Sequence, residues 1–224
     1  VGRISANSSS GMTTVVNKII YYEKATFIEQ TGTEWYERAA LAGDPSSSGV
    51  STIITNMYLN DVMDEYGVEN VSTEYNSGWA NFMSNKLSEG TLFLNYRGYI
   101  GVSGFGSSQI NNSNNSFMLP FATVLTCGTG NFASDWGGAS EALSEAFFEA
   151  GSENFPKGAI ASVGTATSGT HTMYNNIVNM GMYWGLFPGK ANTAGESLVH
   201  GKLHLIKTYP TNYNNYVNIF SHWN

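Results

Sequence analysis

The single cysteine of this 224-residue chain, Cys127, closes an apolar run in LPFATVLTCGTGNF. A thiol is a strong nucleophile only as thiolate, and an ordinary one, with a pKa near ~8.5, is only a few per cent ionised at neutral pH. Acyl transfer from an amide needs a base to make the thiolate and an acid to protonate the leaving amine. Two residues qualify by type. Tyr99 lies in NYRGYIGVSGFG, residues 95–106, and His171 ends TATSGTH. A phenol with a reference pKa of about 10 is a poor base at neutral pH. Tyr99 therefore also reads as a hydrogen-bonded aromatic that fills space. His171 reads as a pocket-lining or helix-capping residue, as a substrate contact, or as a base for Cys127.

Cys127 itself has two readings. A lone cysteine often packs as a small hydrophobe. This one stands at the end of an apolar run and is followed by GTGN. Glycines there allow close backbone approach and leave N–H groups available to an anion. A core cysteine belongs inside the strand, so the position favours a chemical role. His200 and His204 have i, i+4 spacing that suits zinc. No third ligand is evident, and they read as helix-surface residues beside His222. GDPSSSG is a turn, since it lacks the Gly-Lys-Ser/Thr ending of a phosphate loop.

The composition narrows the function classes. Ten basic against 17 acidic residues give a net charge of −7. No basic stripe could neutralise phosphates, which excludes nucleic acid as a partner. One cysteine excludes an intrachain disulfide and a cysteine-based structural zinc site. No apolar run reaches the ~18 residues of a membrane span. Charged residues are only 12%, and Asn, Ser, Thr, Gly and Tyr carry the polar surface, a balance that suits a secreted or cell-surface bacterial protein. The sequence opens on VGRIS, read as a strand, and closes on NIFSHWN, read as a helix in progress. Both ends read as cut, which predicts one domain over residues 1–224 with flanking domains in a longer chain.

The chemistry-bearing residues need elements to position them. Apolar periodicity predicts strands at 1–4, 36–43, 68–75, 91–96, 121–126 and 158–164. It predicts helices at 11–23, 50–67, 78–90 and 138–151, with more helix from Met173 onward. Val15, Val16, Ile19 and Ile20 mark the inner face of the first helix. Ile53, Ile54, Met57, Tyr58 and Val62 mark that of the second. Gly90 ends the third. In the fourth, Ala142, Leu143, Ala146 and Phe147 pack inward, and Glu141, Glu145 and Glu149 form a solvent stripe. Alternation of strands and helices predicts an α/β fold with a mostly parallel sheet covered on both faces. Ligands in such sheets bind beyond the carboxyl ends of the strands. Tyr99, Cys127 and His171 each follow a predicted strand, so all three share that edge.

VGRISA, NYRGYIGVSGFG, LPFATVLTCGTGNF, EALSEAF and GAIASVGTATSGTH, in this order, resemble the gingipain-type cysteine peptidases, a family related in fold to caspases. The resemblance covers nearly the whole chain and implies a three-layer, caspase-like sandwich and a protein or peptide substrate. It implies Cys127 as the nucleophile, with Gly130, Asn131 and Phe132 in the turn that follows. Asn95, Tyr96 and Gly98 match the family's histidine motif. Tyr99 stands where that motif has its histidine, and Ile100 where it has the next glycine. The backbone of Ile100 and Gly128 is then expected at an oxyanion hole. His171, Thr170, Asp135, Trp136 and Phe105 are expected to line the pocket. The family's acidic specificity residue aligns near GVSTIITN, where Thr52 is the nearest match, so selection of basic residues is not carried over. The alternative to a peptidase is an inactive relative serving as a binding or surface-display module. No cofactor is required by this chemistry. The resemblance implies calcium as a structural ion, with Asp44, Asp61, Asp64 and Glu65 as loose candidates, although no EF-hand spacing exists.

Overall fold

The computed structural model describes residues 2–6, 8–25, 27–132, 141–210 and 222–223. Five parallel strands form one sheet in the order β2-β1-β3-β4-β7. They are β1 (Arg38–Gly43), β2 (Asn70–Glu74), β3 (Phe93–Arg97), β4 (Phe121–Val124) and β7 (Ala161–Gly164). A two-residue antiparallel pair, β5 (Gly151–Ser152) with β6 (Phe155–Pro156), stands apart and was not expected from the sequence.

The three central strands β1, β3 and β4 are buried on both faces, as apolar runs in parallel sheets are. Side chains alternate along each strand. Ala39, Leu41, Phe93, Phe121 and Val163 face one layer, where Leu59, Met63, Val178, Met182 and Leu205 meet them. That layer is α3 (Ser51–Glu65), α7 (Thr172–Leu186) and α8 (Ala194–Thr208). Ala40, Ala42, Leu94, Tyr96, Ala122 and Val124 face the opposite layer, against Met83, Leu87, Ile110 and Phe147. That layer contains α4 (Trp79–Glu89), α5 (Ser107–Asn111) and α6 (Leu143–Glu149), with α1 (Ser9–Lys24) against α6. A short α2 (Ile28–Thr31) links α1 to β1. Gly90 ends α4 at a φ of 80°, a conformation that favours glycine.

The three-layer α/β expectation holds, and several details differ. Residues 2–6 form no strand. Ser5 instead donates to the Glu145 carboxylate, and Arg3 lies over the Phe132 ring at 4.8 Å. The predicted acidic stripe on α6 is thereby turned inward in part, since Glu145 also accepts from the Ala142 amide at 2.9 Å. α1 buries Thr14, Val15 and Lys18, while Val16 and Ile20 are exposed. The Lys18 amine reaches the Phe148 carbonyl at 2.8 Å, which sets the helix rotation. α3 buries Thr52, Thr55 and Asn56 beside Leu59, Val62 and Met63, and leaves Ile54 and Met57 exposed. Asn56 donates to the Ala42 carbonyl at 3.1 Å and accepts from Asn95 at 2.8 Å. The predicted helix over 138–151 begins at Leu143 among the described residues, and 138–140 lie outside them. The helical reading of 215–220 also lies outside them. His222 and Trp223, expected in that helix, lie against the end of β7. The Ala166 amide donates to the His222 carbonyl at 2.7 Å, and Trp223 bridges Thr165.

Candidate active site

β3, β4 and β7 end side by side, and the loops that follow them meet. Ile100 and Cys127 form an isolated parallel bridge beyond the strand ends. The Cys127 amide donates to the Tyr99 carbonyl at 3.2 Å. The turn after the cysteine is fixed from below. Thr129 Oγ1 donates to the Thr126 carbonyl at 2.8 Å, and the Gly130 amide to the Thr165 carbonyl at 3.0 Å. A Cβ on Gly130 would stand 2.8 Å from the Gly164 carbonyl carbon, so only glycine fits against β7.

Cys127 is largely buried, and its sulfur points to the Ser168 carbonyl at 3.9 Å. Burial pushes the thiol pKa up; its own backbone amide and the Arg97 guanidinium act in the opposite direction. The Gly128 amide donates to the Thr167 carbonyl at 3.3 Å. An oxyanion at Gly128 would have to displace that carbonyl.

The side chains of Tyr99 and Ile100 are each 51% exposed. His171 is the N-cap of α7: its Nδ1 accepts from the Met173 amide at 3.2 Å, and its ring meets Tyr174 edge-on. That bond engages the Nδ1 lone pair of His171. This is the helix-capping reading. Thr170 Oγ1 donates to Asn175 Oδ1 at 3.4 Å on the same rim.

On the other flank of Cys127 lies a cavity of about 260 Å³. Ile100, Val102, Phe105, Leu143 and Ala146 give it apolar walls, and Glu141 is its carboxylate. Burial raises the Glu141 pKa, Glu145 adds to the effect, and a hydrogen bond with Ser107 opposes it. Phe105 is buried and packs on Phe147. Thus Phe105, Ile100 and Gly128 line this flank, while His171 and Thr170 stand on the rim formed by the loop after β7. Asp135 and Trp136 lie outside the described residues.

Arg97 escaped the sequence reading. It ends β3, is fully buried, and reaches Asn176 Oδ1 with Nε at 2.9 Å and the Thr172 carbonyl with Nη2 at 3.3 Å. The only signal was a basic residue inside the glycine-rich NYRG turn. Thr52 is also buried and donates to the Gly49 carbonyl at 3.1 Å. Among the described residues, no three of His, Cys, Asp and Glu converge on a metal-sized site. Asp44 caps the Ser46 amide at 2.8 Å and accepts from the Tyr96 hydroxyl at 3.2 Å.

A caspase-like parallel sheet with a thiol on the turn after a central strand defines a class of cysteine-dependent peptidase folds. The chain belongs to Peptidase family C25, which it matches over residues 1–221. It is 24% identical over 172 residues to Gingipain R2 of Porphyromonas gingivalis, an alignment covering 72% of this chain and 22% of that protein. Gingipain R1 of the same organism matches to the same extent, with 17% of its length covered. The solved Arg-specific cysteine proteinase gingipain R (RGPB) superposes with a TM-score of 0.77 at 21% identity, over 94% of this chain and 50% of the other. The complex of Porphyromonas gingivalis RgpB pro- and mature domains gives a TM-score of 0.79 over 94% of this chain and 51% of the other. The chain spans about a fifth of the curated relatives it matches and half of the solved chains. Among the described residues, no helix is long and apolar enough to cross a membrane.

Proposed function

We propose that this chain is a polypeptide-binding domain built on a cysteine-peptidase site, with Cys127 at the nucleophile position and hydrolysis lost with the imidazole at Tyr99. One observation carries this reading: neither candidate base serves the thiol. The Tyr99 side chain is half exposed, and His171 Nδ1 is committed to the start of α7. Burial pushes the thiol pKa up, which opposes thiolate formation at Cys127. Its ligand is a protein or peptide lying across the strand ends, and its setting is the cell surface or the medium, within a longer chain whose flanking domains complete it. Calcium enters as a structural ion of that longer protein.

A second reading, an active thiol-dependent endopeptidase of altered specificity, is favoured by family membership and by the apolar cavity open beside Cys127. A peptide library separates the two. The full-length, processed protein is assayed under reducing conditions with calcium, with and without a thiol-reactive inhibitor. Binding without cleavage supports the module. Cleavage that the inhibitor and Cys127→Ala both abolish overturns it in favour of the peptidase.

A further inference from the structure

Among the described residues, Arg97, a buried cation within electrostatic reach of the Cys127 thiol, has no anionic partner. Among the described residues, the buried Arg97 Nη1 has no hydrogen-bond partner. Among the described residues no carboxylate pairs with this guanidinium; the ion pair found there is Lys86–Glu89. The groups whose negative charge would favour it are Cys127 and Tyr96. Burial raises the pKa of both, which disfavours their charged forms. A buried charge is strongly unfavourable unless paired, and a buried donor without an acceptor calls for an occupant.

The surroundings add positive potential. The N-terminus of α7 meets Arg97 through the Thr172 carbonyl, and neither α7 nor α3 has an acidic residue in its first turn. Helix N-termini favour anions. Ser48, three residues before α3, ties them together. Its hydroxyl donates to the Gly98 carbonyl at 2.9 Å and lies 3.2 Å from Thr172 Oγ1, on the first residue of α7. One serine side chain thus joins the Gly98 turn to the start of α7.

We propose that this junction is a carboxylate pocket: when Ser48 turns away from Gly98 and Thr172, Arg97 Nη1 receives the acidic side chain of the peptide residue whose carbonyl lies against Cys127. The inference rests on the peptide-binding reading and deepens it by naming the side chain selected. The pocket selects Asp or Glu because a carboxylate supplies charge and two acceptors to the guanidinium fork, whereas an amide of the same shape supplies one acceptor and no charge.

The test uses the Cys127→Ala chain and fluorescent peptides that differ only in a central Asp, Asn, Glu or Gln, with binding read by anisotropy. The acidic peptides are expected to bind at least tenfold more tightly than their amide counterparts, less so as salt rises, and Arg97→Gln is expected to erase the difference. A second measurement needs no Arg97 variant. Wild-type Cys127 is alkylated with anionic iodoacetate and with neutral iodoacetamide, and the rate ratio is compared with that of a small free thiol. A ratio shifted severalfold toward iodoacetate, and falling with salt, supports the pocket. Equal binding of acidic and amide peptides, or an unshifted ratio, overturns the pocket and leaves peptide binding standing. No binding of any peptide overturns the peptide-binding reading and the acidic ligand together.

Discussion

The Cys127 amide donates to the Tyr99 carbonyl at 3.2 Å, so the residue in the nucleophile position and the residue in the base position are joined through their backbones. The Tyr99 side chain is half exposed beside that contact. Restoring an imidazole then tests the remainder of the site. Tyr99→His with Ile100→Gly is expected to lower the Cys127 pKa and to raise peptide hydrolysis at least tenfold, about 1.4 kcal/mol of barrier. Adding Cys127→Ala should abolish the gain. A folded double variant with no gain would mean that the crevice no longer supports acyl transfer.

His171 acts on α7 rather than on the thiol. Its Nδ1 bond to the Met173 amide is an N-cap, and losing a cap costs about 1 kcal/mol. His171→Ala should lower stability by roughly that amount in urea unfolding, while the pH profile of iodoacetamide labelling at Cys127 stays where it was. A profile moved toward higher pH would make His171 the base and overturn the capping assignment.

Where burial follows apolar content, the sequence was readable. Short apolar runs mark β1, β3 and β4, and the sheet follows from them. Cys127 and Gly130 were legible because their roles depend on a local turn. The inner faces of α1 and α3 were misplaced because distant hydrogen bonds choose them. Lys18 is drawn in by a carbonyl 130 residues away. Asn56 is drawn in by Asn95, which also accepts from Thr123 and Asn179 inside the core. Apolar periodicity carries no trace of such partners. Arg97 was missed for the same reason, since its burial depends on Asn176, 79 residues later.

Gly130 couples the cysteine turn to β7 by close backbone contact. Its added Cβ would meet the Gly164 carbonyl carbon at 2.8 Å, and neither side is a flexible side chain. Overpacking of this kind costs about 1–3 kcal/mol. Gly130→Ala should lower the unfolding free energy by that amount and change Cys127 labelling. Gly2→Ala is the control, because nothing lies within 4 Å of that position. Equal stability of the two variants would refute the close-packing argument.

Lys18 makes stability depend on pH. Burial lowers its pKa from 10.5 to about 7, with Glu149 opposing the shift. The unfolded chain then binds a proton that the folded chain has released, over the interval from pH 7 to the unfolded value. Stability should therefore rise with pH from about 7, by up to about 1.4 kcal/mol per unit for one proton. Below pH 7 both states are protonated, the burial penalty is fully present, and the slope from this group vanishes. Urea unfolding between pH 7 and 8.5 measures it below the range where Arg97, lowered to about 9, titrates. Lys18→Met should flatten the curve and close most of the difference at pH 7, because the methionine keeps the apolar stem and removes the amine. An unchanged slope in a folded Lys18→Met variant would show that another group carries the pH dependence.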